Sequence, residues 1–291
     1  MHCGLCGQTA REDEVIHLEG RWICAACKPA FVQQLREGCL VPVAPPLPDG
    51  FDEHPLAFGD LVAASWRLLL RDWVPIGILT LLVAVPINLV VVLTEPGDDA
   101  SWREFGGHFR TLQLLELFIG FFASLGIAKI VSERLEGRAM GVGGALRHAF
   151  RRWLPGIGTN LVGSIIIVLL LFLLIVPGII WAGYYSFSTA IVSLRDRAGM
   201  RALDYSKSLV RGRWWAVMWR LIGLVGLSML PMIVLEVAIA FAPESAALSY
   251  TSYLAADLFY TFVSVGSTVL FLNLEAIQRR TSEPVGPAPW P

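Results

Sequence analysis

Cys3 and Cys6, followed by Cys24 and Cys27, form two C-x2-C pairs separated by a stretch long enough for a hairpin. Two such pairs brought together supply the four tetrahedral thiolates that zinc prefers, and a shell closed by four thiolates leaves no open position for water. Such a metal organises folding and does not catalyse. Val15–Leu18 and Arg21–Ile23 read as short strands joined at Glu19-Gly20, and residues 30–37 read as a helix stopped by Gly38. The expectation is a small zinc-binding hairpin-and-helix domain over residues 1–39, similar to a treble-clef or half-LIM finger. Cys39 is left over as an inert thiol, and His2 and His17 as surface residues. The competing chemistry is a disulfide or redox pair, which suits an exported protein. Residues 1–40 carry a polar cysteine-rich segment where the apolar run of an export signal would stand, so the N-terminus is expected to remain in the cytoplasm.

The second set of reactive residues lies inside apolar sequence. Glu116, Glu236 and Asp257 each interrupt a long hydrophobic stretch, where an ionisable group is costly and marks a partner or a pathway. Asp257, Thr261, Ser264 and Thr268 share one helical face. Three acids at a similar level suit a cation or proton site, and the hydroxyl stripe could line its path. Serine and threonine stripes also join helices by hydrogen bonds, and acids near a membrane boundary reach up to water. Both interpretations stay open at this level. Lys129 and Arg220 are expected to extend to the inner head groups.

Catalysis finds less support. His2, His17, His54, His108 and His148 all fall outside the apolar stretches, which removes the usual intramembrane base and metal ligands. No glycine-rich phosphate loop, H-E-x-x-H helix or G-x-S-x-G elbow occurs. An enzyme is not expected, nor is nucleic-acid binding.

These residues must be positioned by a membrane body. The chain is 55% hydrophobic and 16% charged over 291 residues, the composition of a multispanning protein. Apolar stretches at 74–93, 112–131, 157–176, 179–194, 216–241 and 254–274 predict six transmembrane helices, each near the roughly 20 residues that cross a bilayer. Within the second, Gly120, Ser124 and Ala128 recur at four-residue spacing and should let a neighbouring backbone approach. Val176-Pro177-Gly178 is expected to turn the third span into the fourth. Three interfacial amphipathic helices precede the odd spans. Val62, Trp66, Leu69 and Trp73 mark the apolar face of the first, opposite Arg67 and Arg71; residues 142–153 form the second; Ala202, Leu203, Ser206, Leu209 and Val210 mark the third. The order of surface helix, tryptophan, outgoing span and returning span thus recurs three times.

Arginine distribution sets the expected topology. Arg134, Arg138, Arg147, Arg151 and Arg152 precede span three, and Arg195, Arg197, Arg201, Arg211 and Arg213 precede span five. With six crossings these segments and both termini share one side, which the positive-inside rule makes the cytoplasmic face of a bacterial inner membrane. Arg147, Arg151, Arg152, Arg201, Arg211 and Arg213 would then meet anionic lipid head groups. Residues 40–56 read as a proline-rich linker, 57–278 as the transmembrane domain and 279–291 as a proline-rich disordered tail.

Val176-Pro177-Gly178, then Ala202-Leu203, Ser206, Leu209, Gly212 and Trp215, resemble a motif of poorly characterised bacterial membrane proteins. That group is similar to the membrane domain fused to some glycerophosphodiester phosphodiesterases. The resemblance covers residues 57–278 and implies a polytopic helical fold. It does not bring the hydrolase activity, because the soluble phosphodiesterase domain is missing from this sequence. The chain departs from the pattern at Asp204-Tyr205, where basic residues are common. Two functions follow as expectations. One is a non-enzymatic inner-membrane protein whose structural zinc finger recruits a cytoplasmic protein partner or steadies assembly. The other is a transporter or channel for ions or small molecules that uses the intramembrane acids.

Overall fold

The computed structural model describes residues 15–18, 21–29, 51, 53–94, 101–239, 241 and 245–282. Contacts divide the chain into two units, one holding residues 1–46 with 133–139 and the other holding the remainder. In the first, β1 (Val15–Leu18) and β2 (Arg21–Cys24) pair antiparallel in the register Val15 to Cys24 and Leu18 to Arg21. Ile23 is fully buried, with Ile16, Cys24 and Cys27 packed against it. Beyond β2 the chain turns through Cys24–Cys27, closed by Cys27 N–H donating to the Cys24 carbonyl at 3.0 Å, and becomes helical at Lys28. Cys3, Cys6 and residues 30–37 lie outside the described residues.

The second unit is helical. It comprises α1 (Phe58–Arg71), α2 (Trp73–Leu93), α3 (Trp102–Leu115), a π-helical turn (Glu116–Gly120), α4 (Phe121–Leu135, whose last three residues fall in the first unit), α5 (Val142–Leu173), α6 (Ile175–Tyr184), α7 (Ser188–Leu194), α8 (Met200–Val210), α9 (Trp214–Ile239) and α10 (Ala246–Ser282). Among the described residues, five helical segments are long and apolar enough to cross a membrane: α2, α5, α6 with α7, α9 and α10. The predicted span at 112–131 runs across α3, the π turn and α4, so it is not one uniform α-helix. The last helix, α10, is the axis of the unit. It packs against α1, α2 and α9, and half of its apolar window is buried where that of α9 is 11% buried.

Several boundaries differ from the expectations. The third-to-fourth turn sits at Leu174, whose backbone is extended (φ −159°, ψ 124°), and Pro177 lies inside α6. There the ring costs little, since backbone N–H groups in a helix's first turn have no intrahelical partner in any case. Gly178 is needed for close approach: a Cβ there would meet the Leu171 backbone nitrogen at 2.9 Å. The second surface helix is not separate but continues as α5 through Pro155. In α1 the buried face is Leu61, Ala64, Ser65 and Leu68, while Trp66 and Trp73 are 53% and 66% exposed. The small residues pack inward and the large rings face outward, the reverse of a reading that ranks positions by bulk. In α8 the buried residues are Ala202, Leu203, Ser206, Leu209 and Val210, the face expected from sequence.

The entry to the membrane unit is anchored. Asn273, fully buried in α10, accepts from Leu56 N–H at 3.1 Å and donates to the carbonyls of Phe51 and His54. Arg220 donates from Nε to the Leu56 carbonyl at 2.7 Å, so this side chain also grips the entry segment. The end of the predicted linker is thus fastened to α9 and α10. Helix α10 itself runs to Ser282, a few residues into the segment expected to be tail.

Candidate functional site

A cavity of about 170 Å³ opens between α2, the π turn with the start of α4, and α10. From α2 it is lined by Thr80 and Asn88, polar residues on a helical face that also buries Ile76, Leu79, Val83 and Ala84. From α10 it is lined by Asp257, Thr261 and Ser264, at the i, i+4, i+7 spacing that keeps side chains on one face. Asn88 Nδ2 donates to Asp257 Oδ2 at 2.6 Å, and the Thr80 and Thr261 hydroxyls are 3.0 Å apart. Thr261 Oγ1 also lies 2.9 Å from the Asp257 carbonyl. The third wall contributes Gly120 and Ser124. The π turn carries one residue more per turn than an α-helix and leaves a carbonyl without its usual donor; the Trp153 indole N–H donates to Phe118 O within it. The small residues Gly120 and Ser124, expected to admit a neighbouring backbone, face the cavity instead.

Of the predicted intramembrane site, the structure unites Asp257, Thr261 and Ser264 around one space. Glu236 is exposed on α9 and does not line that space. Glu116 lies in the π turn, and its side chain is outside the described set. Asn88 and Thr80 carry no formal charge, so the sequence pattern of ionisable groups does not mark them. An amide in the middle of a 21-residue apolar helix is itself a signal, since it too needs a partner in a dry interior.

A second polar cluster lies where α7, α8 and α10 meet. Glu275 is 2% exposed; Arg195 donates to it from Nε at 2.6 Å and also from Nη2, and Tyr205 Oη donates at 2.9 Å. The Arg197 guanidinium sits 4.4 Å from the Tyr205 ring centre. Burial, and then the hydrogen bond to Glu275, push the Tyr205 phenol up to about 12. The phenol therefore stays neutral and donates over the whole range below its ordinary value of about 10. Glu275 finds its partners within the cluster, which reads as a structural fastening.

Among the arginines assigned to lipid, Arg147, Arg151, Arg201 and Arg211 are exposed and Arg213 is partly so. Arg152 differs, pairing with Asp196 at 2.8 Å. Among the described residues no group of three or more His, Cys, Asp or Glu side chains is placed to hold a metal ion. Cys24 and Cys27, two of the four expected zinc ligands, flank the turn after β2.

Comparison with family models, curated proteins and solved structures finds no match for this chain. Function therefore rests on the residues and their geometry.

Proposed function

We propose that the chain is a non-enzymatic six-span protein of the bacterial inner membrane, with both termini cytoplasmic, that binds and conducts a small cation through the Asp257 cavity. One observation carries this reading. Among the described residues the cavity lining contains a carboxylate and no basic residue, and the group that holds Asp257 is the neutral amide of Asn88. A carboxylate in an apolar bundle is complete only with a proton or a cation beside it. The surrounding hydroxyl and amide oxygens are hard ligands of the kind alkali cations take.

The full-length chain in detergent tests it. A ligand that binds only the folded state raises stability by mass action. Sodium ions should raise the thermal unfolding midpoint relative to N-methylglucamine at equal ionic strength, and Asp257→Asn should abolish that rise. Equal midpoints in the two salts, or a rise that persists in the variant, would sink the proposal.

The hairpin supports a second activity at the opposite end of the chain. A tight turn carrying Cys24 and Cys27 directly after a strand suits the last two ligands of a structural zinc site, with Cys3 and Cys6 supplying the others. The module would then present a folded surface to a cytoplasmic protein partner. Elemental analysis of the purified chain should find one zinc per molecule, lost on Cys24→Ser with Cys27→Ser; a metal-free native chain rules it out.

A further inference from the structure

The fourth crossing is interrupted in mid-course. Between α6 and α7 the chain turns at Tyr185–Phe187, and this turn is fastened from two sides. Phe187 N–H donates to the Ser206 hydroxyl of α8 at 3.3 Å, and the Phe187 ring, 1% exposed, packs 6.0 Å from Phe271 of α10. Non-helical backbone at membrane depth is tolerated only where protein buries it or where it borders a polar space. Here it does both. A second cavity of about 130 Å³ adjoins the turn, walled by the hydroxyls of Ser124, Ser186, Thr189, Ser264, Ser267 and Thr268, with no charged side chain among the described residues of its lining.

Two features give this space a chemical sign. Thr268 Oγ1 and Ser267 Oγ both donate to the Ser264 carbonyl, at 2.8 and 3.0 Å. Their protons are spent on the helix, so what they offer the cavity is lone pairs. The Ser186 hydroxyl, at the turn itself, is buried with no hydrogen-bond partner among the described residues. An oxygen-lined, uncharged space of this kind suits a cation better than an anion, and holds it more weakly than a carboxylate would.

The two cavities are neighbours, sharing Ser124, Tyr260 and Ser264 as walls. From Asp257 to Thr268 the polar face of α10 extends roughly 16 Å, about half the hydrocarbon thickness of a bilayer. Resting on the cation reading of the Asp257 cavity, the geometry points to the turn at Tyr185–Phe187 as a second, charge-free cation position in line with the first, with Ser186 as a binding residue. A strong site followed by a weak one is the arrangement that lets an ion enter and still leave.

The test measures sodium uptake into proteoliposomes holding the full chain, beside the sodium-dependent unfolding shift. Ser186→Ala should keep that shift, because the first position is intact, while uptake falls roughly tenfold, the effect of one lost polar contact. Ser186→Thr, which restores the hydroxyl, should recover uptake. Removing a buried hydroxyl that has no partner among the described residues should not lower the midpoint in the absence of sodium; if Ser186→Ala nevertheless fails to fold, Thr268→Val asks the same question from the facing wall. Wild-type uptake in Ser186→Ala, together with a defect in Asp257→Asn, overturns the second position alone. No uptake by the wild type, or no effect of Asp257→Asn on uptake and shift, overturns the cation reading and the second position with it.

Discussion

Glu275 shows how a charge survives deep in this bundle. Its carboxylate takes the Arg195 guanidinium through two nitrogens, the Tyr205 hydroxyl at 2.9 Å and Arg279 at 3.1 Å. An intact buried pair of this kind contributes little net stability, since desolvation cancels most of the attraction, whereas stripping Arg195 leaves the buried carboxylate only Tyr205 and the largely exposed Arg279. Arg195→Met should therefore lower stability by ~3 kcal/mol, while Arg195→Met with Glu275→Met should recover most of the loss. Denaturant unfolding of the two variants in detergent decides it, and a double variant no better than the single would mean that Glu275 is not the burden left behind. Asp257 is the opposite case within the same helix. Among the described residues its side-chain partner is an uncharged amide, and that contrast separates the Glu275 fastening from the proposed site.

At the scale of elements, sequence periodicity located most of the helices and missed how they join. The buried face of α8 was legible because its apolar and small positions recur on one side and its charges on the other. The structure also gives the Ala-Leu-x-x-Ser-x-x-Leu-x-x-Gly spacing its physical content. Ala202, Leu203 and Leu209 are buried, Ser206 caps the Phe187 amide at the broken crossing, and Gly212 holds φ +83°, a left-handed conformation that releases the chain from α8 into α9. Proline and glycine at 177–178 gave a misleading turn signal, because both residues are tolerated in a helix's first turn and only packing against Leu171 shows why the glycine is there. The face of α1 was misassigned for a related reason. Facing lipid, large aromatic rings need no protein cover, so hydrophobicity alone does not tell an inward face from an outward one. For the candidate site, Asp257, Thr261 and Ser264 were visible as a charge and two hydroxyls at helical spacing. Their partners on α2, the wall provided by the π turn and the interruption at Tyr185–Phe187 depend on contacts distant in the chain, which no local pattern records.

For the whole molecule, everything turns on whether residues 102–135 cross the membrane. Taken alone, α3 and α4 are each too short to span, but joined by the π turn they make one helical segment of 34 residues, 102 to 135 inclusive, or about 50 Å. If that segment crosses, there are six passages and both termini share a compartment; if it lies on the surface, there are five and the termini are separated. Arginine placement argues for six, since only then do Arg67 and Arg71 before α2 lie on the same side as the segments before α5 and α8 and as Arg279 and Arg280. The native cysteines, all within the first 39 residues, serve as one probe. Ser245→Cys, exposed just before α10, and Thr281→Cys, exposed at its end, supply two more. With a membrane-impermeant maleimide on intact cells, the wild type and Thr281→Cys should stay unlabelled and Ser245→Cys should take one label, all three reacting once the cells are opened and the chain denatured. Labelling of Thr281→Cys in intact cells while the native thiols stay protected would establish five crossings. The cysteine hairpin and the end of α10 would then face opposite compartments, and the arginines before α5 and α8 would lie with Arg279 and Arg280 on the outer side, parted from Arg67 and Arg71.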